Sequence, residues 1–173
     1  MALFLMCVIL MRPLLNPPTE AAKAEPPGNL TVHIVWPVGN TDVDLWVHGP
    51  GEPRAIGYSR KSGKLWDLLR DDLGTVPDAT GINFENAFTR GIVAGAYTVN
   101  VMCYRCPNVP IVVNVEVALS PDTGPLKVLV TTSVTLTKQG QELTAIRFYL
   151  EADGTIRPGS LHRVFKPLRS AKP

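Results

Sequence analysis

The sequence predicts an all-β domain, an antiparallel β-sandwich of seven or eight short strands in an immunoglobulin-like or jelly-roll-like arrangement. From Leu30 onward, apolar and polar residues alternate with a period of two. Sixteen prolines and fourteen glycines among 173 residues, about one residue in six, supply frequent turns. No long stretch has the 3.6-residue period of an amphipathic helix, so short strands joined by turns are favoured.

The first two strands are predicted on either side of the turn WPVGNTD. Alternate side chains of a strand point to the same side. The apolar face of the first strand consists of Leu30, Val32, Ile34 and Trp36. The apolar face of the second consists of Val43, Leu45 and Val47, and its opposite face carries Asp42, Asp44 and Trp46.

The middle of the chain is less regular. A weak strand is predicted at residues 55–59, and the sequence KLWDLLRDDLG that follows fits either a strand or one helical turn. Periodicity does not decide between them.

Four strands with clear alternation are predicted in the second half. The first follows a turn at Ala94 and Gly95, and the second is PIVVNVEVAL. The last two form a hairpin around KQGQ, which contains Gly140. The inward residues of the four strands are, in chain order, Tyr97, Val99, Val101 and Cys103; Ile111, Val113, Val115 and Val117; Val128, Val130, Val134 and Leu136; and Ile146, Phe148 and Leu150.

The β-domain is predicted to span residues 30–152. A Pro-rich linker of residues 16–29, with the composition of a semi-rigid spacer, precedes it. Residues 153–173 form a Pro-containing tail with five Lys or Arg and one acid. We expect a solvated extension, and contact with an acidic surface or anionic lipid is the alternative. The net charge of +2 favours no nucleic-acid partner.

Residues 1–15 form an apolar segment that begins with eleven apolar residues. A membrane span needs about 17 to 25 residues, and a secretory signal has a basic start and small residues at its end. Three interpretations stay open: the end of a transmembrane helix that starts upstream, a short hydrophobic anchor, or an amphiphilic arm. The sequence LLNPP favours the first, because Asn-Pro-Pro would end an apolar helix before a soluble domain. We therefore expect a single-pass, membrane-associated protein with a periplasmic or otherwise extracytoplasmic domain.

Four acids are the candidate metal ligands: Asp42, Asp44, Asp71 and Asp72. Calcium takes six to eight oxygen ligands, and the loops at one end of a sandwich can bring carboxylates together. The sequence therefore predicts a calcium site there. The alternative is that these acids cap turns, face water and pair with Arg60, Lys61 or Arg70.

The stretches VHIVWPVGNTDVDLWVHGPG, RDDLG and TRGIVAGAYTVNVMCY resemble an uncharacterised group of bacterial and bacteriophage proteins. That group combines a short N-terminal membrane segment with Asp-x-Asp-Leu-Trp-Val, Arg-Asp-Asp and Gly-x-Tyr-x-Val-x-Val elements. The resemblance covers most of residues 1–150 and implies a membrane-tethered β-sandwich without a known reaction. More distantly, Asp42, Asp44 and Leu45 with the later Asp71 and Asp72 are similar to tellurite-resistance-type calcium-binding domains, which supports calcium as the cofactor.

Cys103 and Cys106 lie in CYRCP, at the tip of a predicted hairpin between YTVNV and PIVVNV. A Cys-x-x-Cys pair can be a disulfide, two free thiols, half of a metal site shared between chains, or a redox couple. A disulfide is favoured, because no helix follows to activate a redox thiol and no histidine pair completes a zinc site.

The sequence contains no nucleophile elbow, phosphate-binding loop or zinc-protease motif, so we expect no enzyme. The prediction is a membrane-tethered binding or assembly module that binds calcium and partners another protein of an envelope or virion assembly. An envelope protein acting in lysis or exclusion is the alternative, and a carboxylate-dependent hydrolase a more distant one.

Overall fold

A computed structural model describes residues 28–74, 81–121 and 124–169. This part of the chain contains eight strands and no helix. The strands are β1 Leu30–Trp36, β2 Asp42–His48, β3 Trp66–Arg70, β4 Asn83–Thr89, β5 Gly95–Arg105, β6 Ile111–Leu119, β7 Lys127–Leu136 and β8 Glu142–Leu150. The all-β class and the number of strands are therefore confirmed.

The strands form two antiparallel sheets. The five-stranded sheet has the order β3-β4-β1-β6-β7, and the three-stranded sheet has the order β2-β5-β8. Apolar side chains from both sheets form one continuous core, which gives the domain a sandwich-like build. In the middle of this core, Trp66 of β3 contacts Tyr97 of β5, and Tyr97 stacks on Phe148 of β8 with ring centroids 5.3 Å apart.

The predicted inward residues are buried, apart from Val130, which is half-buried, and Val128. Val128 was expected in the core, but it is 50% exposed. The register between β6 and β7 shifts at this place, because Val117 pairs with Val130 while Ala118 pairs with Val128. The extra residue is a β-bulge, which changes the direction of the side chains before it.

The prediction for residues 55–89 needs two corrections. Residues 55–59 form only isolated bridges, such as Ile56 to Val47, and the ambiguous segment after them is the strand β3. Strand β4 was missed altogether. Its buried positions are mostly polar or small, whereas its phenylalanines lie on the half-buried opposite face, so alternation did not reveal a core face. The buried positions are Asn83, Glu85, Ala87 and Thr89.

Both predicted hairpins in the second half are wrong. β5 and β6 belong to different sheets, and so do β7 and β8. The connections 106–110 and 137–141 therefore cross from one sheet to the other. Consecutive strands pair only at β3–β4 and β6–β7 among the described residues. A short loop between two apolar strands fits a crossing as well as a hairpin, and the sequence does not distinguish them.

The tail is described as far as residue 169, and this part is not a free extension. The backbones of His162 and Arg147 exchange two hydrogen bonds of 2.8 and 3.0 Å, which place the tail along β8. Leu168 is buried against Trp46 and Met102 on the outer side of the three-stranded sheet. Among the described residues no helix has the length and apolar character to cross a membrane. The apolar segment 1–15 and most of the linker lie outside them.

Gly74 fixes the turn after β3, and its replacement tests that turn. Its φ of +57° is strained for other residues, and an added Cβ would overlap the Thr41 carbonyl oxygen. We expect Gly74→Ala to lower the free energy of unfolding by about 3 kcal/mol. Gly140 is the matched control, because its φ is +77° but nothing lies near its added Cβ. Gly140→Ala should lose about 1 kcal/mol in the same denaturant titration; equal losses would contradict a tight contact at Gly74.

Candidate metal centre

Five acidic side chains meet where the free edge of β2 approaches the five-stranded sheet. Asp42 and Asp44 lie on β2, Asp71 and Asp72 follow β3, and Glu85 lies on β4. The exposed fractions are 2% for Asp42, 3% for Asp44 and 1% for Glu85. The alternative that Asp42 and Asp44 face water is therefore wrong.

Glu85 connects the two sheets through its carboxylate. Its Oε2 accepts a 2.7 Å hydrogen bond from the backbone N–H of Leu45, and its Oε1 accepts one of 3.1 Å from the N–H of Asp72. Leu45 belongs to β2 and Asp72 follows β3, so one side chain sets the distance between them. This holds Asp44, the neighbour of Leu45, close to Asp71, the neighbour of Asp72.

Asp72 has a structural role in the turn. Its Oδ1 accepts from the N–H of Gly74 at 2.9 Å, and its Oδ2 accepts from the N–H of Phe84 at 3.1 Å and from Arg70 at 2.9 Å. Burial alone would raise the pKa of Asp72, but these hydrogen bonds outweigh burial and lower it. Three donors therefore share the two oxygens of Asp72, and Asp72 does not belong to the group of carboxylates whose oxygens come together, so it supports the turn beside the site.

The candidate ligands are Asp44, Asp71 and Glu85. One carboxylate oxygen from each lies within 4.8 Å of the other two. Several oxygens at this place are buried without a hydrogen-bond partner among the described residues, namely Oδ1 of Asp42, Oδ2 of Asp44 and Oδ1 of Asp71. A buried carboxylate oxygen without a donor is unfavourable, and a bound cation would satisfy it.

The surrounding cations do not neutralise this cluster. Lys61 pairs with Asp71 at 2.9 Å, and Arg105 lies 3.9 Å from Asp42, but both cations are substantially exposed. In the described part of the chain, no Lys or Arg lies within ion-pair distance of Asp44 or Glu85. Negative charge therefore accumulates at the buried end of the cluster.

The pKa values reflect burial and this repulsion. Burial, with the charges of Asp42 and Asp71 added to it, raises the pKa of Asp44 to about 7. Burial also raises the pKa of Asp42 to about 6, against the opposing effect of Arg105. The pKa of Glu85 is well above its ordinary value for the same reason, although the N–H groups of Leu45 and Asp72 work in the other direction.

Comparison with protein families, curated proteins and solved structures gives no significant match. The interpretation of the site therefore rests on its geometry.

The structure brings two of the four predicted ligands, Asp44 and Asp71, together. Asp42 lies beside them on β2, and Asp72 accepts hydrogen bonds within the turn after β3. Sequence reasoning missed Glu85, because β4 itself was missed. The available signal in NFENAFT was weak. Glu85 lies on the same face of the strand as Ala87, and the two phenylalanines lie on the opposite face. A charged residue in that pattern is typical of an exposed face, whereas here the polar face is the buried one.

Cys103 and Cys106 form a disulfide in the structure, and both are buried. Cys103 lies near the end of β5, opposite Val43 of β2, while Cys106 lies in the connection that leads to the other sheet. The bond therefore closes the start of a sheet crossing and not the tip of a hairpin. It lies one residue pair away from Asp42, which is opposite Arg105.

The raised pKa values predict how stability depends on pH without a divalent cation. The folded-state pKa values of Asp42 and Asp44, about 6 and 7, exceed the ordinary 3.8, so between pH 4 and 7 the folded chain binds more protons than the unfolded chain. These two groups should therefore make the protein less stable as the pH rises through this range, by up to about 1.4 kcal/mol per pH unit for each group.

Urea unfolding in a chelator at pH 5, 6, 7 and 8 measures this effect. Asp44→Asn should reduce the slope, because its amide does not titrate. Asp153→Asn, in the turn after β8, removes an exposed carboxylate outside the cluster. Local hydrogen bonds hold its pKa below its ordinary 3.8, so it titrates below this pH range and should leave the slope unchanged. A slope that Asp44→Asn does not alter would contradict a raised pKa at this residue.

Proposed function

We propose that this protein is a calcium-binding β-sandwich module that serves binding or assembly and not catalysis. The observation that carries the proposal is the group of carboxylates Asp44, Asp71 and Glu85, of which Asp44 and Glu85 are buried and Asp71 is half-buried. One oxygen from each lies within 4.8 Å of the other two. The partnerless oxygens on Asp42, Asp44 and Asp71 support it independently. A cation at this place would contact several oxygens that nothing else in the described chain satisfies.

The chemistry of the donors favours calcium over other metals. All the candidate ligands are carboxylate oxygens, which suit hard cations, whereas zinc prefers histidine and cysteine. Magnesium keeps several of its waters and demands a nearly ideal octahedron. Three carboxylates, two of them buried, provide up to six protein oxygens, which suits the larger and more adaptable calcium ion.

Burial favours an ion over a substrate. Asp44 and Glu85 are 3% and 1% exposed, and a carboxylate that acts as an acid or base must reach the reacting group. A hydrolase built on these carboxylates would need an opening to them. We therefore propose a non-enzymatic role, and a carboxylate-dependent hydrolase is the less favoured alternative.

The cellular setting is part of the proposal. The disulfide between Cys103 and Cys106 fits an oxidising, extracytoplasmic compartment. The apolar segment 1–15 would then tether the domain to a membrane, with another envelope or virion protein as its partner. The proposal includes an immunoglobulin-like or jelly-roll-like arrangement of the two sheets. No observation among the described residues favours the alternative role in lysis or exclusion.

Thermal unfolding of the full chain with calcium, with magnesium and with a chelator tests the proposal. A ligand that binds the native state at 100 times its Kd stabilises it by about 2.7 kcal/mol, which corresponds to a rise in Tm on the order of 5 to 10 °C. Calcium should produce this rise at pH 7.5, and magnesium should produce less than half of it. No rise with calcium would overturn the proposal.

Asp44→Asn separates a ligand from a structural acid. The variant should lose the response to calcium, yet in a chelator it should be more stable than the wild type, because it removes a source of repulsion. Glu116→Gln should keep the full response. An Asp44→Asn variant that still responds fully to calcium would place the ion elsewhere.

A further inference from the structure

The two sheets have four edge strands, and three of them are covered by backbone. At β2, Val47 exchanges hydrogen bonds with Ile56, and Leu45 donates to Glu85. At β3, the segment 61–63 supplies two hydrogen bonds, from the N–H of Gly63 to the Trp66 oxygen and from the N–H of Leu68 to the Lys61 oxygen. At β8, the tail pairs through Arg157 and His162. Such covering is how proteins prevent open edges from pairing with other chains.

The fourth edge, β7, is open. It is ten residues long, and in the described part of the chain no backbone segment pairs with its free side. Among the described residues, one side chain hydrogen-bonds this edge: Arg163 donates to the carbonyl oxygen of Ser133 at 3.2 Å and to the hydroxyl of Thr132. Because the Ser133 carbonyl points away from β6, those of Thr131 and Thr135 do so too, since backbone groups alternate along a strand.

The sequence of β7 does little to discourage pairing. KVLVTTSVTL contains no proline or glycine, and its residues are mostly Val, Thr and Leu, which favour strands. Its one charged residue is Lys127, at the start of the strand. The bulge separates Lys127 from residues 130–136, which pair regularly with β6. Natural edge strands usually carry a central charge, a proline or a bulge as a block. β7 has such a bulge only near its start, at Leu129, and over its regular part Arg163 provides the block from outside the strand.

We propose that β7 is a docking edge for a second copy of this chain, which pairs antiparallel to it across a two-fold axis at Ser133. In this register Ser133 lies opposite its own copy and Thr131 lies opposite Thr135 of the other copy. All three residues are exposed and lie beyond the bulge, where β7 pairs regularly with β6. Pairing would join two five-stranded sheets into one continuous ten-stranded sheet.

Charge and symmetry favour a second copy over a foreign strand. An isologous contact needs a surface that is complementary to itself, and an open antiparallel edge meets this requirement through its alternating donors and acceptors. Residues 128–136 carry no charge, so the paired strands themselves bring no like charges together. The Arg163 side chain beside Ser133 in each copy has to leave the edge when the strands pair. The cross-strand pairs are Thr–Thr and Ser–Ser, which stabilise antiparallel sheets. Arg163 competes for the Ser133 carbonyl and so sets the strength of the contact.

Sedimentation equilibrium of the full chain at fixed calcium concentration tests the proposal with three variants. Ser133→Lys brings two ammonium groups face to face at the axis and should raise the dimer Kd at least about tenfold. Arg163→Ala removes the competitor and should lower the Kd by roughly 30-fold, because a symmetric dimer displaces one Arg163 hydrogen bond of about 1 kcal/mol in each of its two copies. Asn114→Lys is the matched control, because Asn114 pairs with Ser133 from β6 and is exposed but does not lie on the edge.

The control Asn114→Lys should change the Kd by less than about twofold. Because the apolar N-terminal segment is the same in every variant, it does not account for a difference in Kd between them. Hydrogen exchange gives a second readout: the amides of Thr131, Ser133 and Thr135 should exchange more slowly as the protein concentration rises. The proposal is overturned if neither the wild type nor Arg163→Ala dimerises. It is equally overturned if Ser133→Lys leaves the Kd unchanged, if Asn114→Lys weakens the dimer as much, or if exchange at these amides is independent of concentration.

Discussion

The contact that the rest of this structure depends on is the buried carboxylate of Glu85 between the N–H groups of Leu45 and Asp72. It occupies the position where a neighbouring strand would otherwise pair with β2. A buried charge without partners is very unfavourable, but one that accepts two backbone hydrogen bonds satisfies donors that would themselves be costly to bury. Glu85 therefore fixes the edge of the three-stranded sheet against the end of β3, and by doing so it brings Asp44 and Asp71 together.

Glu52 shows the same principle at the next part of this edge. Its Oε1 accepts from the N–H of Leu65 at 2.6 Å and from that of Trp66 at 3.1 Å, just where β3 begins. Two glutamates thus satisfy backbone donors that no sheet pairs, one at each end of β3. The difference lies in their surroundings. Arg60 lies 3.7 Å from Glu52, whereas Glu85 faces two further acids, so charge accumulates at one end only. This asymmetry is the physical reason to interpret the Glu85 end as a cation site and the Glu52 end as a structural cap.

Much of the architecture follows from the sequence, because in β1, β2, β5 and β6 apolar residues recur at every second position and these positions are buried as expected. What the sequence did not predict depends on contacts between distant segments. Strand β4 buries Asn83, Glu85 and Thr89, and each of these is tolerable only because a remote backbone group pairs with it. The sheet crossings after β5 and β7 depend on which strands finally pair. The sequence identified Asp42, Asp44, Asp71 and Asp72 as a group. It did not predict that Asp42 and Asp44 are buried, or that Glu85 takes part.

The cluster also explains why a bound ion would affect more than its own ligands. Without a cation, Asp44 and Glu85 repel each other across the contact between β2 and β4 whenever both are ionised, which contributes to the raised pKa of Glu85. The ionised pair therefore opposes, at the same place, the interaction that joins the sheets. A divalent cation would reverse the sign of this contribution and draw β2, the turn after β3 and β4 together. Arg105 and the disulfide lie at the same end of β2, and they keep this end of the strand next to β5 when the carboxylates repel one another. Ion binding would therefore act on the packing of the two sheets, and the open edge of β7, at the opposite side of the five-stranded sheet, would remain free for a partner.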